Sequence, residues 1–302
     1  MYDIIAIGNP QYNLVLSQSN DPILSGPSVN ISSVAASFGI NRLALVGAIG
    51  PKYRERFITE LDAHRIPEHL IIESARTTEF QIACTDEGIQ SQILLESAGP
   101  IKIKDIPDEF LRSELIVLAP VFNEIDYELI SWIANSSDAK LIIDPLGLAR
   151  TTANGGEIEV SVNSLDLSKI VELSDVVKMD WLLWQAYTKE KDPLLAAEFL
   201  VEAGAEIGIV TLLDSGAVIF DGTDFLVIPF EKLLSLNPAS AEDAFLAGFS
   251  VGMLNNDTLL QCGTLGSSIA SVIIEQRCTD FTIDLDEIQR RNEMITSKVE
   301  IH

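Results

Sequence analysis

The chain alternates short, almost uninterrupted apolar runs with stretches in which apolar residues recur every three or four positions. Ile4–Ile7, Leu43–Val46, Leu115–Leu118, Leu141–Ile143, Val176–Val177 and Ile207–Val210 are nearly continuous in apolar character, as expected of strands buried on both faces of a parallel sheet. Between them, Val29–Phe38, Tyr53–His64, Tyr127–Ala134 and Leu194–Ala203 carry helical spacing. Repeated strand–helix alternation predicts right-handed crossovers and a doubly wound α/β fold, a mainly parallel sheet flanked by helices. After a further strand pair over Ala217–Ile228, the pattern turns helical at Ala241–Asn255, Leu259–Glu275 and Leu285–Ser297.

Two regions break this rhythm. Tyr12–Ser17 lies close behind the first strand, and Thr77–Ser97 holds two alternating runs around the turn Asp86-Glu87-Gly88. Both read as hairpin material outside the main sheet, a small β lid built from roughly residues 11–25 and 75–98. No repeat, linker or low-complexity tract divides residues 1–302, so a single domain is expected.

Charge narrows the partners. The chain has 20 Lys and Arg against 45 Asp and Glu, a formal net charge of −25, which repels nucleic acid and the anionic face of a membrane. A phosphorylated small molecule stays admissible, because oriented backbone N–H groups and a divalent cation reverse the field locally. Cys84, Cys262 and Cys278 are far apart and form no CxxC pair, so small apolar core residues are expected and neither disulfides nor a zinc site. His64, His69 and His302 are the only histidines; the first two flank a helix end, and all three are expected at the surface. The start, Met1–Gly8, has no basic segment before its first strand, and the longest apolar stretch, Phe245 to Leu254, is far below the ~20 residues of a membrane span. A cytoplasmic setting is the expectation.

Ligands of a doubly wound sheet bind beyond the carboxyl ends of its strands. No GxGxxG follows Ile7 and no GxxxxGK[ST] occurs, which removes the main support for dinucleotide and P-loop chemistry. The strand ends instead read Gly8-Asn9-Pro10, Asp144-Pro145, Lys178-Met179-Asp180 and Thr211-Leu212-Leu213-Asp214-Ser215-Gly216. A further loop, Leu236-Asn237-Pro238-Ala239-Ser240-Ala241-Glu242-Asp243, runs into an apolar helix. It admits two readings: an anion site at a helix N-terminus, or a capping box formed by Ser240 with Asp243.

Set in the whole chain, this loop resembles the second signature of the ribokinase (PfkB-type) family of carbohydrate and nucleoside kinases, Asp-Thr-x-Gly-Ala-Gly-Asp followed by Ala-Phe. Ala241, Asp243, Ala244 and Phe245 match. The first signature is echoed by Ser25-Gly26-Pro27-Ser28-Val29-Asn30, then by Ala35-Ala36, Phe38-Gly39 and Val46-Gly47-Ala48-Ile49-Gly50. The resemblance runs from about Ile4 to Ile288. It implies a ribokinase-like fold and ATP-dependent phosphorylation, with Mg²⁺ bridging the nucleotide phosphates, of a small sugar, polyol or nucleoside. It also implies a lid that serves as a dimer contact in some relatives. Carried onto this chain, Asp243 is the general base, and the backbone N–H groups of Ala241, Glu242 and Asp243 form the anion hole. Asn13, Gly26 and Asn30 contact substrate hydroxyls; Asp180, Thr211 and Gly216 lie on the nucleotide side; no residue is assigned as a metal ligand.

The departures cluster on that nucleotide side. Asn237 replaces the loop's opening Asp, Ser240 and Glu242 replace its glycines, and the family's Asn-x-x-Glu reads Asp180-Trp181-Leu182-Leu183. Leu213 stands for the first Gly of the Thr-x-Gly turn, and Pro51-Lys52 replaces an acidic stretch. A Glu242 carboxylate ~4 Å from a phosphate charge would cost about 1 kcal/mol in water and about 4 at an effective dielectric of 20, unless its side chain points to solvent. Plainer roles stay open: a helix-end residue for Asn30, a strand-end polar group for Asn13, a hairpin glycine for Gly216, and packing for Trp181 and Trp184 rather than adenine stacking. A relative that binds ligand without transferring phosphate is the second functional reading.

Overall fold

In the computed structural model, strand β1 (Ile4–Ile7) shows how its apolar run is used: Ile4 and Ala6 enter one hydrophobic core, Ile5 and Ile7 the other. Side chains alternate across a strand, so a strand buried on both faces must be apolar throughout. The structure describes residues 1–302 apart from 17–20, 68, 86–87, 163–165 and 278–280, and the side chains of 84, 85 and 88–90.

Next along the chain come β2 (Gln11–Val15), β3 (Ile23–Ser25), α1 (Pro27–Ser37), β4 (Leu43–Ile49), α2 (Arg54–Ala63), β5 (His69–Glu73), β6 (Thr78–Thr85) and β7 (Gly88–Glu96). The middle holds β8 (Leu115–Leu118), α3 (Tyr127–Ser136), β9 (Lys140–Ile143), β10 (Arg150–Thr152), β11 (Ile158–Val160), α4 (Leu167–Glu172), β12 (Val176–Asp180), α5 (Trp181–Thr188) and α6 (Pro193–Glu202). The last third holds β13 (Ile207–Thr211), β14 (Gly216–Phe220), β15 (Phe225–Pro229), α7 (Pro238–Leu254), α8 (Leu259–Ile273), α9 (Leu285–Thr296) and β16 (Glu300–Ile301).

The main sheet has the order β16-β15-β14-β13-β12-β9-β8-β1-β4-β5. From β13 to β5 every pairing is parallel, and β14, β15 and β16 continue antiparallel. One face packs on α1, α2, α7, α8 and α9 through residues such as Val34, Phe57, Phe249, Ile269 and Ile295. The opposite face packs on α3 to α6 through Ile130, Ile170, Leu183 and Leu200. Helix α7 is buried almost all round from Ala244 to Gly252, so it acts as an internal strut, not an amphipathic surface helix. None of the described helices is long and apolar enough to cross a membrane.

A second sheet, order β3-β2-β6-β7, stands apart from the main one. Its β2–β6 pairing is parallel, and its β2–β3 and β6–β7 pairings are antiparallel. Asp86 and Glu87 of the expected turn lie outside the described residues. A short antiparallel arm, β10–β11, reaches this sheet: Leu94 N–H donates to the Gly156 carbonyl (2.8 Å), beside an Ile93–Glu157 bridge. The arm carries no alternation long enough to be read from sequence; the edge strand β5, the short α4 and α5, and β16 were likewise not anticipated.

Two surface expectations are corrected. His64 ends α2 half-buried, with Nδ1 3.0 Å from Ser33 Oγ, and burial lowers its pKa; His69, in β5, is also half-buried. His302 is exposed. Cys262 is buried in α8, which raises its thiol pKa to about 11. Cys278 and the Cys84 side chain lie outside the described residues.

Gly216 opens β14 at φ 137°, and a Cβ there would lie 2.1 Å from the Ile228 carbonyl oxygen. Both facts exclude larger residues. Gly216→Ala is expected to lower unfolding free energy by about 2–4 kcal/mol, read by urea titration; a loss below about 0.5 kcal/mol would show that the hairpin does not need glycine.

Candidate active site

The carboxyl ends of β9 and β12, the start of α7, the second sheet and the β10–β11 arm enclose a cavity of about 360 Å³. Parallel strands bring their carboxyl ends to one edge, where their last residues turn from apolar to polar. Asp144 follows β9, and Lys178 and Asp180 close β12.

Lys178 is the centre of the polar cluster. Its Nζ lies 2.8 Å from Asp144 Oδ2 and 3.7 Å from Glu242 Oε2, with the lysine side chain 1% exposed. Burial alone would pull the lysine pKa down, yet Asp144, Glu242 and Asp180 outweigh it and hold the ammonium above its ordinary range. The other Asp144 oxygen accepts from the Leu146 N–H at 3.0 Å, which fixes the carboxylate between the two donors.

Glu242 is 5% exposed, so its side chain does not point to solvent. Oε1 accepts from the Thr211 hydroxyl at 3.2 Å. Burial first, then neighbouring Asp180, raises its pKa well above the usual carboxyl value, against the pull of Lys178. The carboxyl therefore holds its proton to higher pH than an ordinary glutamate does.

Asp243 stands half-buried on the cavity wall. Asn30, buried on α1, donates from Nδ2 to Asp243 Oδ2 at 2.9 Å. Burial raises the Asp243 pKa to about 7; Lys178 opposes this, Asp144 adds to it, and the Asn30 bond and Arg150 also oppose it. Asn13 lines the cavity and accepts from Gln11 Nε2 at 3.1 Å, while Gln11 Oε1 is buried with no partner. Gly26 caps the start of α1 at φ 116°; its neighbours Ser25 and Pro27 line the cavity.

The start of α7 differs from expectation. Pro238 occupies the first helical turn and Asn237 is the N-cap, without a side-chain capping bond. Ser240 is thus inside the helix, and the capping box with Asp243 does not form. Proline's fixed φ suits the first helical position, so the helix begins before Ser240. In consequence the Ala241 N–H donates to the Asn237 carbonyl at 3.1 Å, and the amides of Glu242 and Asp243 fall within the helical ladder. The amides without an intrahelical acceptor are those of Ala239 and Ser240, and both residues line the cavity. Asn237 lines it too: it is 1% exposed, and neither Nδ2 nor Oδ1 has a partner.

Among the other candidates, Asp180 lines the cavity and caps α5 through the Leu182 and Leu183 N–H groups. Thr211 is committed to Glu242, and Gly216 to the hairpin. Trp184 packs in the core against Phe199, ring centroids 5.4 Å apart. Gln11, Lys178, Asp144 and Arg150 carried no assigned role from sequence. The alternation Gln11-Tyr12-Asn13, which puts two amides on one strand face, and the polar residues ending two apolar strands were the available signals.

The architecture is that of the ribokinase-like kinases. A ribokinase from Thermotoga maritima superposes with a TM-score of 0.75 over 97% of this chain and all (100%) of its own, at 17% identity. A pyrophosphate-dependent kinase of the ribokinase family, solved with a pyrophosphate analogue and myo-inositol, gives 0.79 over 95% and 99% at 19% identity. A putative ribokinase II from E. coli, solved with ATP and Mg²⁺, gives 0.77 over 97% and 100% at 13% identity. Among curated proteins none matches the chain significantly. The pfkB family carbohydrate kinase model matches residues 24–285, and the chain belongs to that family.

The residues present suit an anionic phosphate chain: the Ala239 and Ser240 amides, the Lys178 ammonium and the unpartnered Asn237 amide all meet one cavity. They do not suit a protein-held metal. Asp144 and Glu242 face Lys178, Asp180 caps α5, and among the described residues no group of three His, Cys, Asp or Glu is placed to hold an ion.

The state of Glu242 has a pH signature. A carboxyl neutral in the fold but ionised when unfolded removes stability as pH rises from about 4.5 towards its folded pKa. Glu242→Gln is therefore expected to gain stability over wild type with rising pH, by up to about 1.4 kcal/mol per unit, in urea titrations from pH 4 to 8. Parallel stability curves would mean that Glu242 is charged in the fold.

Proposed function

We propose that the protein transfers the γ-phosphoryl group of ATP to a hydroxyl of a small sugar, polyol or nucleoside, with Asp243 as general base. The observation that carries this reading is the Asp243 carboxyl, facing the cavity, oriented by Asn30 and raised to a pKa of about 7. A base titrating near the working pH combines sufficient ionised fraction with sufficient proton affinity. ATP, when bound, supplies the transferable phosphoryl group. The acceptor hydroxyl is held near Asp243 by Asn13 and the free Gln11 oxygen; Asp243 takes its proton as the oxygen attacks. Lys178 and the Ala239 and Ser240 amides stabilise negative charge on the transferring group. No step is assigned to Mg²⁺, which the carboxylates here do not cage.

Membership of a carbohydrate-kinase family and the myo-inositol and ATP complexes of the neighbours support this reading. One observation favours the second reading, a ligand-binding relative without turnover: Lys178 is already ion-paired with Asp144 at the donor end.

Phosphorylation screens should use both ATP and pyrophosphate with a sugar, polyol and nucleoside panel. Asp243→Asn is expected to cost about 10²–10⁴-fold in transfer rate while ligand-dependent melting persists; activity within a few-fold of wild type removes Asp243 from the base role. The wild-type rate should rise about tenfold per pH unit below about 7 and level off above it. A flat profile across pH 6–8 would exclude a base with that pKa.

A further inference from the structure

Two cationic side chains line the cavity, and their circumstances differ. Lys178 is bound to Asp144. Arg150 makes one side-chain hydrogen bond, from Nη1 to the Val121 carbonyl at 3.1 Å, and has no ion-pair partner among the described residues. A half-buried guanidinium in a strongly acidic protein, with no carboxylate at ion-pair distance among the described residues, leaves its remaining donors open towards the cavity.

The surroundings place Arg150 at the acceptor end. Its anchor, Val121, packs with Phe80 and Ile82 of the second sheet and with Ile158 of the arm. Glu124 fixes the anchor's own turn, accepting from the Asn9, Val121 and Phe122 N–H groups at 2.7–2.9 Å. Asn123 Nδ2 donates to the Arg150 carbonyl, at 2.5 Å. Ile82 and Ile158 also line the cavity, from the second sheet and the arm, whereas Lys178 and the α7 amides come from the main sheet and its core helix. Asp243 feels both cations.

We infer that Arg150 binds an anionic group, a phosphate or carboxylate, on the hydroxylic acceptor, so that the preferred ligand is a sugar or polyol phosphate or a sugar acid and not the neutral compound. A planar guanidinium with free donors matches either anion bidentately, and a neutral ligand would leave those donors without an anionic partner. The inference deepens the kinase reading in naming the anion's bearer as the acceptor, but it is tested by binding alone.

The test is calorimetry without donor on matched sets: a neutral sugar or polyol, its phosphate monoester and its acid. The wild-type protein should bind an anionic member about tenfold to hundredfold more tightly than its neutral parent, with the gap narrowing at high salt; whether the ester or the acid leads identifies the anion. Arg150→Gln should abolish the preference while changing affinity for the neutral compound less than about threefold, and Arg150→Lys, which keeps the charge, should retain part of it. Equal affinity for neutral and anionic members, binding of neither, or a preference that survives Arg150→Gln overturns the inference. Turnover assayed on the same sets separates the two claims: a preference without phosphoryl transfer leaves Arg150 as the anion site and ends the kinase reading.

Discussion

One ammonium group withdrawn from water orders the carboxyl edge of the sheet. Burying Lys178 costs several kcal/mol unless opposite charge and hydrogen bonds surround it, and the structure supplies both through Asp144 and Glu242. The consequence is positional. Asp144 ties the end of β9 to β12, and Glu242, bonded on its other side to Thr211 of β13, ties the first turns of α7 to the same place. Asp243 is the next residue of that helix, so the lysine sets where the Asp243 carboxyl stands relative to the sheet.

The site then divides by charge. Lys178 is committed to Asp144, and its neighbouring acid Glu242 holds its proton to higher pH than usual; Arg150 is held, among the described residues, by a backbone carbonyl. Between them Asp243 balances burial and Asp144, which favour the proton, against Lys178, Asn30 and Arg150, which favour the anion. A pKa of about 7 emerges from that opposition and not from any single neighbour. Changing either cation should therefore shift the Asp243 pKa.

Much of the fold was legible because burial on both faces leaves strands continuously apolar. The parallel strands β1, β4, β8, β9, β12 and β13 announced themselves that way, and the long helices by their spacing. What escaped had no period to show: three-residue β10 and β11, two-residue β16, and the half-buried edge strand β5. At the site, Asp243, Asn30 and Asn13 could be found from motif and strand ends. The environment of Glu242 could not, since a glutamate in a helix is ordinarily solvated and its burial depends on Lys178, brought in by the sheet. The start of α7 is ambiguous in sequence for a local reason: Ser240 and Asp243 have capping-box spacing, while Pro238 begins the helix earlier.

The ends of the main sheet also bear on how the protein behaves at high concentration. An open sheet presents unpaired N–H and C=O groups at its outermost strands, templates on which a second chain could add. Here β5 ends in Glu73, ion-paired with Arg54, and β16 is only two residues long, beginning at the exposed Glu300. The β16 margin offers an incoming strand little length, whereas β5 runs five residues with Leu70, Ile71 and Ile72 at its centre and keeps only its terminal ion pair as a guard. Edge-to-edge aggregation is thus resisted at one side of the sheet, and β5 is the side on which a second chain would add.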